Sequence, residues 1–330
     1  MNKFLCLLLV TCFIFTLECE KSTETLEQPS WHLIFNAPAN VKYKDIFFVD
    51  KHYGWVVGYT TNILHTKDGG KTWITQIVKD SNRMLLNSVY FKDRQNGWAV
   101  GSDWTRASTT NGGETWIDES PAVLPHSIIS WYSIFFIDQL NGWQTNSRGV
   151  IGYTRDGGGS WQTGTGIPSG YDLSSVYFIN DLKGWTIAKY QHKIYNSIDG
   201  GMTWNEQQVI DNSCDSSSWF NDILFTDELH GWICTMPSDG NESYIYHTNN
   251  GGQEWFCQTS ILDSSLNAIY FINKKNGFVI GKNIYLTNDG GKTWEIQYPL
   301  SNDEFVSLSF VDNTGWALSS KGEICKYGVN

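Results

Sequence analysis

Asp68, Asp156, Asp199 and Asp289 each open an Asp-Gly-Gly turn, closed five residues later by Trp73, Trp161, Trp204 and Trp294. Asn111 and Asn250 hold the same place before Trp116 and Trp255. A carboxylate beside two glycines is the raw material of a calcium loop. Calcium, however, takes several oxygen ligands at alternating positions, and Thr66-Lys67-Asp68-Gly69-Gly70 offers one carboxylate. What remains is local turn chemistry: Gly supplies positive φ, and the Asp or Asn side chain accepts the turn's own N–H groups. The boxes read as structural, with no metal and no cofactor implied.

The elements that carry the boxes follow from their spacing. The box tryptophans recur at intervals of roughly 39 to 51 residues, the period of a propeller or solenoid array. A second signature, an apolar residue two places before Phe, recurs at Phe48, Phe91, Phe136, Phe178, Phe225, Phe271 and Phe310. Each is followed by a Gly-Trp pair, with Phe278 replacing Trp once. That makes seven units. Within one unit, Ser88–Phe91, Trp98–Gly101, Ala107–Thr110 and Thr115–Ile117 read as four short strands joined by hairpins. The seventh unit lacks a box and a fourth strand, while Trp31 and the residues after it look like both. The expected fold is all-β: a seven-bladed β-propeller of four-stranded blades over residues 30–330, its ring closed by the N-terminal strand in the last blade.

Composition bounds the partners. A net charge of −11 argues against nucleic acid or an anionic membrane surface. Lys3 and the apolar run Phe4–Leu17 have the size of a signal-peptide core rather than of a membrane span. Residues 1–19 are thus expected to be a signal peptide and 20–29 a polar tether. The layout resembles a bacterial lipoprotein signal, which would lipidate Cys19, although Glu18 stands where such signals carry a small residue. The expected location is outside the cytoplasm, as an envelope lipoprotein or a secreted protein, touching membrane only through that anchor. Cys214, Cys234, Cys257 and Cys325 fit no metal spacing and read as small buried residues with at most one disulfide.

Of the sixteen tryptophans, the boxes, the Gly-Trp pairs and Trp31 absorb all but Trp104, Trp131 and Trp219. Strand order places these three in connections on one face, opposite the boxes. Arg83, Arg106 and Arg148 map to loops of the same face. Exposed aromatics with nearby arginine suit a peptide or a sugar, so these six residues are the candidate binding residues.

The boxes resemble the Asp-box, or BNR-type, repeat of sialidases, sortilin-like receptors and xyloglucanases. The combination of Phe, Gly-Trp and Asp-box resembles the photosystem II stability/assembly factor family. That second resemblance implies a non-catalytic propeller binding an envelope or extracellular protein during assembly. The first implies a glycan ligand or a glycoside hydrolase. Hydrolysis of a sugar bond needs two carboxyl groups roughly 5–10 Å apart. Asp45 and Asp222, expected to open inner strands and face the central channel, are the candidates, but they fall in units one and five. No Arg-Ile-Pro element supports a sialidase, and no nucleophile elbow or phosphate-binding loop is present. The favoured expectation is a protein-binding scaffold, not an enzyme.

Overall fold

The computed structural model describes residues 28–38, 40–78, 85–121, 129–210, 214, 217–238, 242–262, 265–299 and 303–328. The signal segment with Cys19, most of the tether and Arg83 lie outside the described residues. Within them are 28 strands and no helix, a β-propeller-type array in which the strands fall into groups of four. The second unit comprises Leu86–Phe91, Gly97–Gly101, Arg106–Thr109 and Ile117–Asp118. The third comprises Trp131–Phe136, Gly142–Asn146, Ile151–Thr154 and Gln162–Thr163. Each unit is an antiparallel sheet in chain order. Units four and five are also joined by a short parallel pairing of Val209 with Trp255. The last sheet takes its fourth strand from the other end of the chain: Ser30–Asn36 pairs antiparallel with Glu323–Gly328, Trp31 opposite Tyr327.

The Phe and Gly-Trp signature is a stacking device between units. Phe48 lies flat over Gly54, where a Cβ would sit 2.6 Å from the ring. The other face of each such Phe receives the indole of the preceding unit, except Phe310, which meets Phe278. Trp316 stacks on Phe48 at 3.7 Å, Trp55 on Phe91 at 3.4 Å, Trp143 on Phe178 at 3.5 Å and Trp232 on Phe271 at 3.9 Å. The box joins in. The indole N–H groups of Trp55, Trp143, Trp185, Trp232 and Trp316 donate to the carbonyl of the first box glycine in the following unit. Glycine is required there: Gly69 has φ 77°, and a Cβ would press on the Lys51 carbonyl at 2.7 Å.

Inside each box the carboxylate is saturated. Asp68 accepts from the N–H and the hydroxyl of Thr72 and from the hydroxyl of Thr66. Partial burial opposes ionisation, but those bonds hold the carboxyl down at about 2. Asn111 reproduces the pattern by donating its amide to Thr115 Oγ1, whereas Asn250 donates to Glu254 Oε2. The two therefore predict different responses. Asn111→Asp should leave the melt unchanged or slightly higher. Asn250→Asp sets two carboxylates against each other and should cost about 0.5–1 kcal/mol at low salt, less at high salt. Equal shifts of the two melting temperatures would overturn this account of the box.

Among the described residues one disulfide is present, Cys214–Cys257, and Cys234 and Cys325 are buried free thiols. It ties the connection after unit four to the fourth strand of unit five.

Candidate functional site

Aligning the units by their sheets shows where one of them departs from the others. Immediately before each box, a column of the third strand faces the next unit. It is Ile63, Ile151, Ile194, Ile245, Ile284 and Ile324 in the packed cores, but Arg106 in unit two. The following column faces the preceding unit and holds Leu64, Ala107, Tyr195, Tyr246, Tyr285 and Cys325, but Gly152 in unit three. A column of the second strand, Val56, Ala99, Thr186, Ile233, Val279 and Ala317 elsewhere, is Gln144 in unit three. All three departures meet at the interface between units two and three.

The consequence is a cavity of about 550 Å³, lined by Trp104, Arg106, Trp131, Gln144, Arg148, Gly152 and Trp161 among others. That volume lies in the range of ligand sites, roughly 300–1,000 Å³. Gln144 folds over Gly152, where a Cβ would be 2.8 Å from its amide nitrogen. The Arg106 guanidinium lies 6.0 Å from the Trp131 ring and 5.7 Å from the Trp161 ring. Burial lowers its pKa against the nearby charge of Glu119, whose carboxylate instead accepts from Ser108. Among the described residues Arg106 makes no ion pair, and no carboxylate lines the cavity. Arg106 Nε, Trp131 Nε1, Trp161 Nε1 and Gln144 Oε1 are all buried without a hydrogen-bond partner there. Buried polar groups are nearly always paired, so four orphans around one cavity make it the candidate binding site. The surroundings are looser too: Trp98 stacks on Phe136 at 4.4 Å, tilted by 22°.

The structure brings Trp104, Arg106, Trp131 and Arg148 together and leaves Trp219 elsewhere, edge-on against Tyr190 at 4.9 Å. Two expectations are corrected. Trp131 is 5% exposed, because it occupies the column held by Tyr43, Leu86, Leu173, Phe220 and Phe305. It is a core residue whose indole edge borders the cavity, not an exposed anchor. Arg106 is no loop residue but the first residue of a strand. Trp104 stands half-buried at the rim with φ 64°, 6.3 Å from Trp131. Positive φ is a strained backbone for so bulky a residue. Arg148 is exposed beside it. Gln144, Gly152 and Trp161 escaped sequence reasoning, although the column comparison contains the signal.

The central channel holds the carboxylate pair. Asp45, Ser88, Ser133, Ser175, Asp222, Ala268 and Ser307 all line it, as the sequence led us to expect. Asp45 accepts from Ser88, the Val89 N–H and Ser307, and so bridges both neighbouring units. Asp222 does the same through Ser175 and the Ile269 N–H. Every carboxyl oxygen is engaged in holding the ring. Burial raises the pKa of both, Asp222 to about 6 with a small contribution from the charge of Asp45. A carboxyl raised in the folded state stabilises at low pH and loses that contribution as pH climbs through its folded pKa. His247, held by burial at about 4, runs oppositely over the same window, so the test is a difference. Between pH 4.5 and 7.5, wild type should lose about 1–2 kcal/mol relative to Asp222→Asn. That is below the full linkage because the carboxyl still faces the channel. Parallel stability curves would refute it.

Known proteins share this fold. The family model described as photosynthesis system II assembly factor YCF48 matches residues 23–118, which span the first two units. Over 65 residues the chain is 35% identical to photosystem II assembly protein Ycf48 of Thermosynechococcus vestitus. The chain is similar to Ycf48. That sequence match covers 19% of this chain and spans only 18% of the curated Ycf48. The fold likeness is wider. A structure of YCF48 bound to D1 peptide superposes with TM-score 0.73 at 20% identity, over 92% of this chain and 99% of that one. The same fold also serves catalysis. A catalytically inactive virginiamycin B lyase from Staphylococcus aureus superposes with TM-score 0.73 at 15% identity, over 92% of this chain and all of that one.

Proposed function

We propose that this chain is an exported, non-catalytic, seven-bladed propeller that binds a partner polypeptide at the cavity between its second and third units. Residues 30–330 form the single propeller, closed by Ser30–Asn36, and the segment before them directs export. The observation that carries the reading is the convergence of Arg106, Gln144 and Gly152 on one interface, at columns that hold apolar residues or the hydrogen-bonded Thr186 in the other units. The likeness to Ycf48 supports a protein ligand, since one such relative is described as bound to a peptide. Saturation of Asp45 and Asp222 by ring donors favours a structural role for that pair over acid–base chemistry. A glycan remains the second ligand class, favoured only by the indoles that border the cavity.

The test is capture from an envelope extract with the chain as bait. Trp104→Gly combined with Arg148→Glu should abolish capture while moving the melt little, because Gly relieves about 1–2 kcal/mol of left-handed strain as the ring packing is lost. Trp219→Ala, at a separate place, should capture normally. Retained capture by the double variant, or loss with Trp219→Ala alone, would move the binding site elsewhere.

A further inference from the structure

The unpaired groups around the cavity specify its ligand, given that it is a binding site as proposed above. Three are donors: Arg106 Nε and the two indole nitrogens of Trp131 and Trp161. One is an acceptor, Gln144 Oε1. Trp131 and Gln144 are 5% and 1% exposed. In the boxes of units one, two, four, five and six, the equivalent indole finds an acceptor inside the protein; Trp161 does not. Beside these groups, Gly152 leaves out the side chain that is a Tyr ring in units four, five and six. The complement is an anion that accepts several N–H bonds, one N–H donor next to it, and a flat apolar body.

We propose that this cavity binds the carboxylate end of an N-acylated amino acid with an aromatic side chain. The carboxylate meets Arg106 and the indole N–H groups, and the acylated N–H donates to Gln144 Oε1. Arg148, exposed at the rim, adds a second positive charge on the approach, in a chain that is otherwise acidic. An N-acyl amino acid exists free and as the last residue of a polypeptide; both present the same atoms.

N-acetyltyrosine, N-acetyltyrosinamide and a tetrapeptide acid ending in Tyr separate the possibilities when titrated into the full chain, followed by calorimetry and by the indole N–H resonances of Trp131 and Trp161. The acid should bind and shift both resonances, and the amide should bind at least tenfold more weakly. Arg106→Gln should lose a similar factor for the acid and nothing for the amide, with its melt confirming that it is folded. Tighter binding of the tetrapeptide than of N-acetyltyrosine identifies a polypeptide end as the ligand; tighter binding of N-acetyltyrosine identifies a free small molecule. Equal affinity for acid and amide, or unmoved indole resonances at millimolar acid, overturns the proposal. Envelope capture reports separately: capture lost in Arg106→Gln without acid binding keeps the partner site and sinks the carboxylate, whereas acid binding with capture intact sinks the partner site alone.

Discussion

Deletion of residues 30–36 is expected to abolish cooperative unfolding, the largest effect of any change considered for this chain. The segment is the outer strand of the last sheet, paired from Ser30 to Asn36 with Gly328 to Glu323. Trp31, 6% exposed, packs edge-on against Phe278 and Phe310 at 5.5 and 6.0 Å, so the loss reaches the core between units six and seven. Without it, Glu323–Gly328 becomes an unpaired edge, open to association with other chains. Trp31→Ala alone should cost about 3–5 kcal/mol, the usual price of a buried large aromatic. The deletion should give a broad, aggregation-prone transition, and a peptide of residues 28–38 added in trans should sharpen it. A deletion variant that melts as sharply as wild type would show that the ends do not close the ring.

The parts of this molecule that were legible in the sequence are those whose chemistry is local or repeated. The box turn is spelled out by Asp68, Gly69 and Gly70, since two positive φ angles and one saturated side chain need no partner from afar. The strands followed the unit spacing to within a residue or two. In the second unit the fourth strand, expected at Thr115–Ile117, is Ile117–Asp118, because Trp116 bridges to Val78 of the preceding unit instead. The stacking role of Phe, Gly and Trp was visible as a pattern, but its cause, a ring lying flat on a glycine, required coordinates. Trp131 was misjudged because tryptophan there looks surplus to the motif. Position, not residue type, decides burial: it fills the column that Leu86 and Phe220 fill elsewhere. Arg106 opens its strand directly after a short hairpin, and the motif alone does not show that it stands where other units hold isoleucine. Departures from a repeat become informative once columns are aligned by register rather than by motif.

Restoring the repeat at the cavity should raise stability and destroy binding together. Arg106→Ile, Gln144→Val and Gly152→Tyr give the interface between units two and three the residues found between units five and six, Ile245, Val279 and Tyr285. The change removes a desolvated charge without a partner, which is costly to bury, and fills space that now lacks packing contacts. It should stabilise by about 2–4 kcal/mol, roughly 3–6 °C for a domain of this size. The effects should be strongly coupled. Gly152→Tyr alone is expected to destabilise, because its Cβ would meet Gln144 at 2.8 Å, and only Gln144→Val clears the way. The triple variant should bind neither N-acetyltyrosine nor the envelope partner. A gain in stability with binding intact would mean the cavity is a packing defect unrelated to recognition. A loss of stability would mean that Arg106 and Gln144 hold this interface together as the aliphatic residues do elsewhere. The expected pairing, a firmer ring that no longer binds, is the signature of a propeller that has given up one of its seams to make a site.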